Sequence, residues 1–553
     1  MDSEVDNTNS FTLRVSVRSL YVAALFGVSA LLGIVYAVHN TDSHHWGFIL
    51  GTALDVQRGG NLFSDIFIQY GVGQPLLLAA LGVVLPLNYT SIGVFGALAY
   101  SATLALIFLS VERIASTKLA ILVSMVAFLI HPYSVYPWPD YWAGLSLALA
   151  VYCLVRNPNG PVAVFIAVGA FLFAAFLFRN TYLVNITAAG CVFALAAVFN
   201  LRLFHKGLMI AISTFLLATI AYLAFLYVQG TFDLWYAQNF GAATQAYNVG
   251  ASSLVRMIFN VLIPSSIAHF VFSLMLFFGG FFVLRAVIMR SSETSIDQSS
   301  DLTTPTMIFV TLLGATGFAQ ALVFYEMFRL QNASGALYVA SAYWIATGLP
   351  EQSKLSSYLR ADFALVIIIA MLAVGFPGLL AGKPLSTWQP IIPPPALQNL
   401  SRYQAVPEAP IFNGHRALPD VASYYSGLSR ALCSRPGPIV NLTRDAVIPY
   451  LCGTSRNALP TPMFSIDWLS KTQPDEVRRL QRGEYRQGEL VVAELIREQG
   501  TDLRAPGVIQ NPAVVFRALG VWQRSPLIPW MAPVPVAVLE VQSAPTWGAK
   551  EPS

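Results

Sequence analysis

A succession of apolar stretches between residues 19 and 382 constrains this chain more than any other feature. Their approximate limits are 19–39, 89–111, 118–132, 141–155, 161–178, 181–199, 207–228, 263–288, 306–324, 335–349 and 362–382. A helix perpendicular to a bilayer needs about 20 residues to cross the hydrocarbon. Backbone polar groups inside lipid must be satisfied within a helix or a closed barrel, and unbroken runs of this length read as helices. Hydrophobic residues make up 56% of the chain and charged residues 11%, whereas a water-soluble globule carries about 25% charged residues. The expectation is therefore a mainly α, polytopic membrane helical bundle of about eleven spans. The net charge of +4 is small and dispersed, so nothing points to a nucleic-acid partner. Residues 1–18 are polar and no small-residue cleavage site follows the first run, which predicts a retained cytoplasmic tail and not a cleaved leader.

Basic residues orient the bundle. With the N-terminus inside, Arg14, Arg18, Arg113, Lys118, Arg156, Arg202, Lys206, Arg285, Arg290, Lys354 and Arg360 fall at cytoplasmic ends. Only Arg58, Arg179, Arg256 and Arg329 fall in the opposite loops before the last span. Positive residues accumulate on the cytoplasmic side, so this bias predicts an extracytoplasmic C-terminus. Residues 19–382 form the predicted membrane domain, and the first outer loop, 40–88, holds two short apolar segments, 46–57 and 75–86, read as helices in the membrane interface. Residues 383–399 are a Pro-rich linker. Residues 400–553 are read as a small soluble extracytoplasmic α/β domain, with helices at Asp420–Leu432 and Asp475–Arg482 and strands at Pro438–Leu442, Leu490–Ala493 and Val536–Val541. Cys433 and Cys452 either pair in an oxidising compartment or stay free. Cys153 and Cys191, in apolar runs, are expected to be buried.

This topology gathers the unusual polar residues on one side. Loop one holds Asp42, His44, His45, Asp55, Asp65, Gln69 and Tyr70; loop two is YSVYPWPDYW with Asp140; turn three is FRNTY with Arg179; loop four carries Trp235, Tyr236, Gln238 and Asn239; loop five holds Glu326 and Arg329. Asp42, just past a helix end, suits a general base on an acceptor hydroxyl, a cation ligand with His44, His45 or Asp140, or a plain helix cap. Asp140 is either a second acid of the same cavity or a cap for the following span. Arg179 interrupts a long apolar stretch, where charge is costly and usually has a partner or a task. It suits a phosphate clamp or a headgroup-seeking turn residue. Glu326 and Arg329, three apart, either pair with each other or contact substrate. Asp65, in GGNLFSD, fixes a turn or serves the chemistry. His131, His205 and His269 at span ends read as structural. No P-loop, dinucleotide-binding glycine motif, HExxH or GxSxG occurs.

The segment GGNLFSDIFIQYGVGQPLLLA is similar to the G-x-x-Y-x-D-x-x-x-x-Y-G-P pattern of bacterial GT-C enzymes, with Phe63 for the tyrosine and Val72 for the proline. Together with the acid after the first span and the C-terminal domain, it resembles the GT-C class of integral membrane glycosyltransferases, which includes protein O-mannosyltransferases and lipid A aminoarabinose transferases. The resemblance implies a polyprenyl-phosphate sugar donor, a glycan, lipid or protein acceptor in the cell envelope, and a bacterial inner (plasma) membrane location. It implies Asp42 as catalytic base, Asp140 as a second acid, and Arg179 or Arg329 on the donor phosphate. His44, His45, Tyr70 and Glu326 are the remaining substrate-binding candidates. The residues specify no cofactor; a divalent cation is admitted, with Asp42, His45 and Asp140 as its candidate ligands. The competing reading is a lipid-linked sugar flippase or transporter without transferase activity. Carriers place ionisable groups or broken helices near the midplane, whereas here the spans are largely uncharged.

Overall fold

The computed structural model describes residues 16–39, 41–42, 44–130, 137–241, 267–292, 302–321, 327–348, 400–459, 474–497, 503–504, 511–524 and 533–545, with single positions between them. Helices occupy every expected span up to 335–349: α1 (Val17–His39), α4 (Tyr89–Ile114), α5 (Thr117–Ile130), α6 (Pro139–Arg156), α7 (Val162–Phe178), α8 (Tyr182–Phe199), α9 (Lys206–Val228), α11 (Ile267–Ser292), α12 (Thr303–Thr316) and α14 (Ala336–Gly348). The predicted span 362–382 lies outside the described residues. Five of these helices are long and apolar enough to cross a membrane; α5, α7 and Ala336–Thr347 are apolar but shorter. Helix α9 shows why lipid is the required solvent. Only 22% of its most apolar window is buried, and Leu217, Ile220, Phe225 and Val228 point outward. In water that face would be a large exposed apolar patch. Cys191 also lies on an exposed face, of α8, and not in the core expected for it.

Between α1 and α4 run α2 (His45–Gln57) and α3 (Gly73–Leu81), helical where 46–57 and 75–86 were expected to be, the second ending at Leu81. The short α10 (Phe232–Tyr236) follows α9, and α13 (Met327–Ala333) precedes α14. The core joins α1 to α4, α4 to α6, α6 to α7 and α7 to α9, with α12 and α14 packed on α8, α4 and each other.

The C-terminal region is α/β. Strands β3 (Ile439–Leu442), β4 (Leu490–Glu494), β7 (Val515–Arg524) and β8 (Val534–Ser543) form a sheet ordered β3-β4-β8-β7, parallel at β3–β4 and antiparallel elsewhere. Two-stranded ribbons pair β1 (Gln404–Ala405) with β2 (Arg416–Ala417) and β5 (Ile496–Arg497) with β6 (Leu503–Arg504). Helix α15 (Pro419–Cys433) packs on β7, and Cys433 is bonded to Cys452. Helix α16 (Pro474–Gln481) matches the second predicted helix. Strand β7 was not anticipated. Its exposure shows only weak alternation and its register is broken between Ala518 and Gly520, so no clean two-residue period marks it.

This region sits on one end of the bundle. Tyr89, at the start of α4, packs tilted on Phe412 (4.5 Å) and edge-on to His415 (5.4 Å), and Thr41 Oγ1 lies 2.9 Å from His415 Nε2. The end of α1, the start of α6, the α7–α8 turn and the end of α12 lie where Asp42, Asp140, Arg179 and Gln320 fall.

Candidate active site

Asp42 follows the end of α1 and opens α2. Its carbonyl accepts Trp46 N at 3.0 Å and its Oδ1 accepts His45 N at 2.9 Å, which satisfies amides left open at a helix N-terminus. Its Oδ2 lies 2.8 Å from His45 Nδ1. Asp42 is 5% exposed. The capping and the chemical readings are therefore compatible: the cap holds a buried carboxylate against an imidazole. When Nδ1–H donates to the carboxylate, the other nitrogen of the neutral ring is an acceptor. His44 turns the opposite way, and its Nδ1 donates to the Arg444 carbonyl at 2.8 Å. Burial, and then the neighbouring His45, lower the His44 pKa and favour its neutral ring.

Rings and one ion pair connect Asp42 to the second acid. His45 meets Trp138 at 5.0 Å, Trp138 meets Tyr70 edge-on at 5.0 Å, and the Arg179 guanidinium lies 5.1 Å from the Tyr70 ring centre. Arg179 Nη1 then donates to Asp140 Oδ2 at 2.7 Å. Asp140 stands in the first turn of α6, behind Pro139, and is fully buried. Among the described residues its Oδ1, Arg179 Nε and the Tyr182 hydroxyl have no hydrogen-bond partner. Buried polar atoms of this kind are rare and concentrate where water or a ligand completes them.

The glycine-rich segment is the frame of this wall. Phe63 is buried at φ 70°, the only non-glycine described residue with positive φ, and such strain persists only where surroundings enforce it. Here Phe63 N donates to Ile66 O at 2.9 Å. Gln238, from beyond α10, donates to Phe63 O (2.7 Å) and accepts from Ile68 N (2.9 Å). Asp65 accepts from Asn61 N (2.9 Å) and Asn61 Nδ2 (2.6 Å), which is the turn-fixing alternative. A Cβ on Gly71 would sit 2.4 Å from the Leu177 carbonyl, so only glycine lets Tyr70 reach the end of α7. There the Tyr70 carbonyl accepts Asn180 N at 2.7 Å. Asn180 donates to Asn239, and Thr181 Oγ1 to Gln320 Oε1 at 2.5 Å.

Asp42, His45, Tyr70, Asp140 and Arg179 thus share one continuous wall, whereas His44 is held on Arg444 of the C-terminal region. Arg329 lies half-buried on α13, which packs against α6, and Glu326 lies outside the described residues. The three candidate cation ligands are divided, Asp42 and His45 holding each other and Asp140 holding Arg179. Among the described residues no three His, Cys, Asp or Glu side chains gather as a metal set, so no step below passes through a cation. Sequence reasoning did not single out Trp138 or Gln320, and it named Gln238 among the loop-four polar residues without giving it a role. PWPDY marked Asp140's surroundings but not which ring faces His45. His205 is structural: it caps α9 by accepting Leu208 N at 3.3 Å.

No family model and no curated protein sequence matches the chain. Among solved structures, ArnT from Cupriavidus metallidurans bound to undecaprenyl phosphate superposes with a TM-score of 0.50 at 11% identity, covering 94% of this chain and 98% of that one. This chain has the GT-C fold. Within the GT-C fold the likeness spans both the bundle and the C-terminal region. ArnT in the apo state scores 0.45, covering 86% and 93% of the two chains. The archaeal oligosaccharyltransferase AglB from Archaeoglobus fulgidus, in complex with an inhibitory peptide and a dolichol-phosphate, scores 0.43, covering 87% and 70%.

Proposed function

We propose that this protein is a membrane glycosyltransferase that moves a sugar from a polyprenyl-phosphate donor to a cell-envelope glycan, lipid or protein acceptor. It acts on the extracytoplasmic face of a bacterial inner membrane, with the N-terminus in the cytoplasm. The observation that carries the reading is the Asp42–His45 pair, 2.8 Å apart, its carboxylate buried and its imidazole part-exposed, on one wall with the Arg179–Asp140 pair and the Trp138–Tyr70 rings. In this reading the acceptor oxygen attacks the anomeric carbon as the bond from that carbon to the phosphate oxygen breaks. Asp42 takes the acceptor proton, polyprenyl phosphate leaves, and a single displacement inverts the configuration. The Trp138–Tyr70 edge gives a sugar ring an apolar face to pack on. Arg179 holds Asp140 in place and offers its Nε, unpartnered among the described residues, to a donor oxygen, and Arg329 is the second candidate for the phosphate.

A second assignment has its own observation. Because His45 Nδ1 is held on Asp42, the ring nitrogen opposite is oriented to take the proton, with Asp42 fixing the tautomer. Transfer in purified membranes from a panel of radiolabelled polyprenyl-phosphate sugars tests both. Loss with Asp42→Asn and survival with His45→Gln makes Asp42 the base; comparable loss in both supports the relay. No transfer from any donor, together with protein-dependent movement of lipid-linked sugar across the bilayer, replaces the transferase with a carrier.

A further inference from the structure

Helix α2 has a face made of Gly47, Gly51 and Asp55, spaced four apart and so aligned along one side of the helix. A Cβ on Gly47 would stand 2.6 Å from Val447 N, and one on Gly51 would stand 2.3 Å from the Tyr450 ring. The C-terminal region therefore rests directly on the backbone of α2. One turn further on, buried Asp55 accepts hydrogen bonds from the Tyr450 hydroxyl at 2.7 Å and from the Ser455 hydroxyl. Asn457 Nδ2 donates to the Tyr450 oxygen at 3.2 Å, and Arg58 Nη1 donates to the Asn457 carbonyl at 3.2 Å. At the other end of α2, His44 donates to the Arg444 carbonyl. One segment, Arg444 to Asn457, thus follows α2 from its first residue to its last.

That segment is itself rigid. Cys452 is bonded to Cys433, and Arg456 donates to the Leu432 carbonyl at 2.8 Å and to that of Gly437. An adjoining side of α2 meets the bundle, where Trp46 packs on Gly93 of α4. Neither sliding nor rotation of α2 is possible without breaking the buried bonds at Asp55, and each such break leaves a desolvated polar group unmatched.

We propose that the C-terminal region is a working part of the transfer site: residues 444–457 set the position of α2, and through it that of Asp42 and His45, with Tyr450 and Asp55 as positioning residues. This rests on the transferase reading above. The test uses the full-length protein in lipid nanodiscs. Tyr450→Phe removes the hydroxyl but keeps the ring on Gly51. The expected result is a fall in kcat on the order of ten-fold or more at unchanged KM for the lipid donor, with faster amide exchange over residues 44–50. Asp55→Asn keeps an oxygen for Tyr450 and recovers most of the kcat that Asp55→Ala loses. Unchanged kcat and exchange in Tyr450→Phe overturn the proposal, as does equal loss in the Asn and Ala variants. A variant that does not accumulate is replaced by Ser455→Ala, read the same way. If the wild type transfers no sugar, the transferase reading fails on its own account, and the exchange of residues 44–50 still decides whether the segment fixes α2.

Discussion

Removing the Arg179 guanidinium leaves Asp140 as an uncompensated carboxylate in a fully buried position. With charge centres ~4 Å apart and an effective dielectric constant of about 20, the lost attraction is about 4 kcal/mol. Breaking a buried pair by removing one partner costs about 3–5 kcal/mol, whereas replacing both with apolar groups of similar volume is close to neutral. Arg179→Met is therefore expected to destabilise the protein by about 3 kcal/mol, and Asp140→Leu by a similar amount. The double variant should recover at least about 2 kcal/mol of their sum, a coupling typical of groups in direct contact. Stability of the four proteins in nanodiscs, from denaturant unfolding followed by tryptophan fluorescence, closes the cycle. Additive single effects, or single effects below about 0.5 kcal/mol as seen at ordinary surface sites, would refute the claim that these two charges depend on each other.

His415 is fully buried, and burial, then His39, bring its pKa to about 3. The unfolded chain binds a proton there below about pH 6.5 while the folded state refuses it. Stability is full above that pH and falls by about 1.4 kcal/mol per pH unit as the pH drops toward the folded value. His415→Gln should flatten this component in thermal midpoints measured from pH 7 to 5. Gly51→Ala drives a Cβ toward the Tyr450 ring and should cost about 1–3 kcal/mol. Gly27→Ala, where a Cβ meets nothing within 4 Å, should be neutral or stabilising by up to about 1 kcal/mol in a helix interior; equal thermal midpoints for the two variants would contradict the close packing of α2. Replacing Cys433 and Cys452 by Ser opens a loop of sequence separation 19 and should lower the unfolding midpoint of the C-terminal region by the equivalent of about 3 kcal/mol, with no further drop on adding reductant.

The bundle was legible because each apolar run up to 335–349 carries its own signal, and helix boundaries follow local cues. Pro139 at the first turn of α6 and the Asn88–Ser91 capping box of α4 are examples. The acids Asp42 and Asp140 stood out because charge is rare in this chain. Their partners did not. Nothing local tells that Arg179 meets Asp140, 39 positions away, or that Gln238 bonds Phe63 and Ile68, 175 and 170 positions away. The role of Asp65 was undecided in the sequence because a turn acid and a catalytic acid have the same neighbours; only the two bonds from Asn61 separate them. The C-terminal contact with α2 was unreadable for a different reason. Gly47 and Gly51 look like ordinary small residues of an apolar segment until Val447 and Tyr450 are seen against them.

Asp140 and Arg179 stand at the two ends of a single helical hairpin, α6 at its beginning and α7 at its close. Adjacent antiparallel helices bring both ends to the same side of the bundle. A nascent chain can therefore neutralise the two charges against each other as soon as this hairpin folds back on itself, before any later helix exists. The hairpin then carries a closed pair and not two isolated ions, which are expensive in apolar surroundings. Tyr450 reaches Asp55 only once almost 400 further residues have been made. The wall around Asp140 can assemble early in biogenesis, and the seat of α2 is completed last.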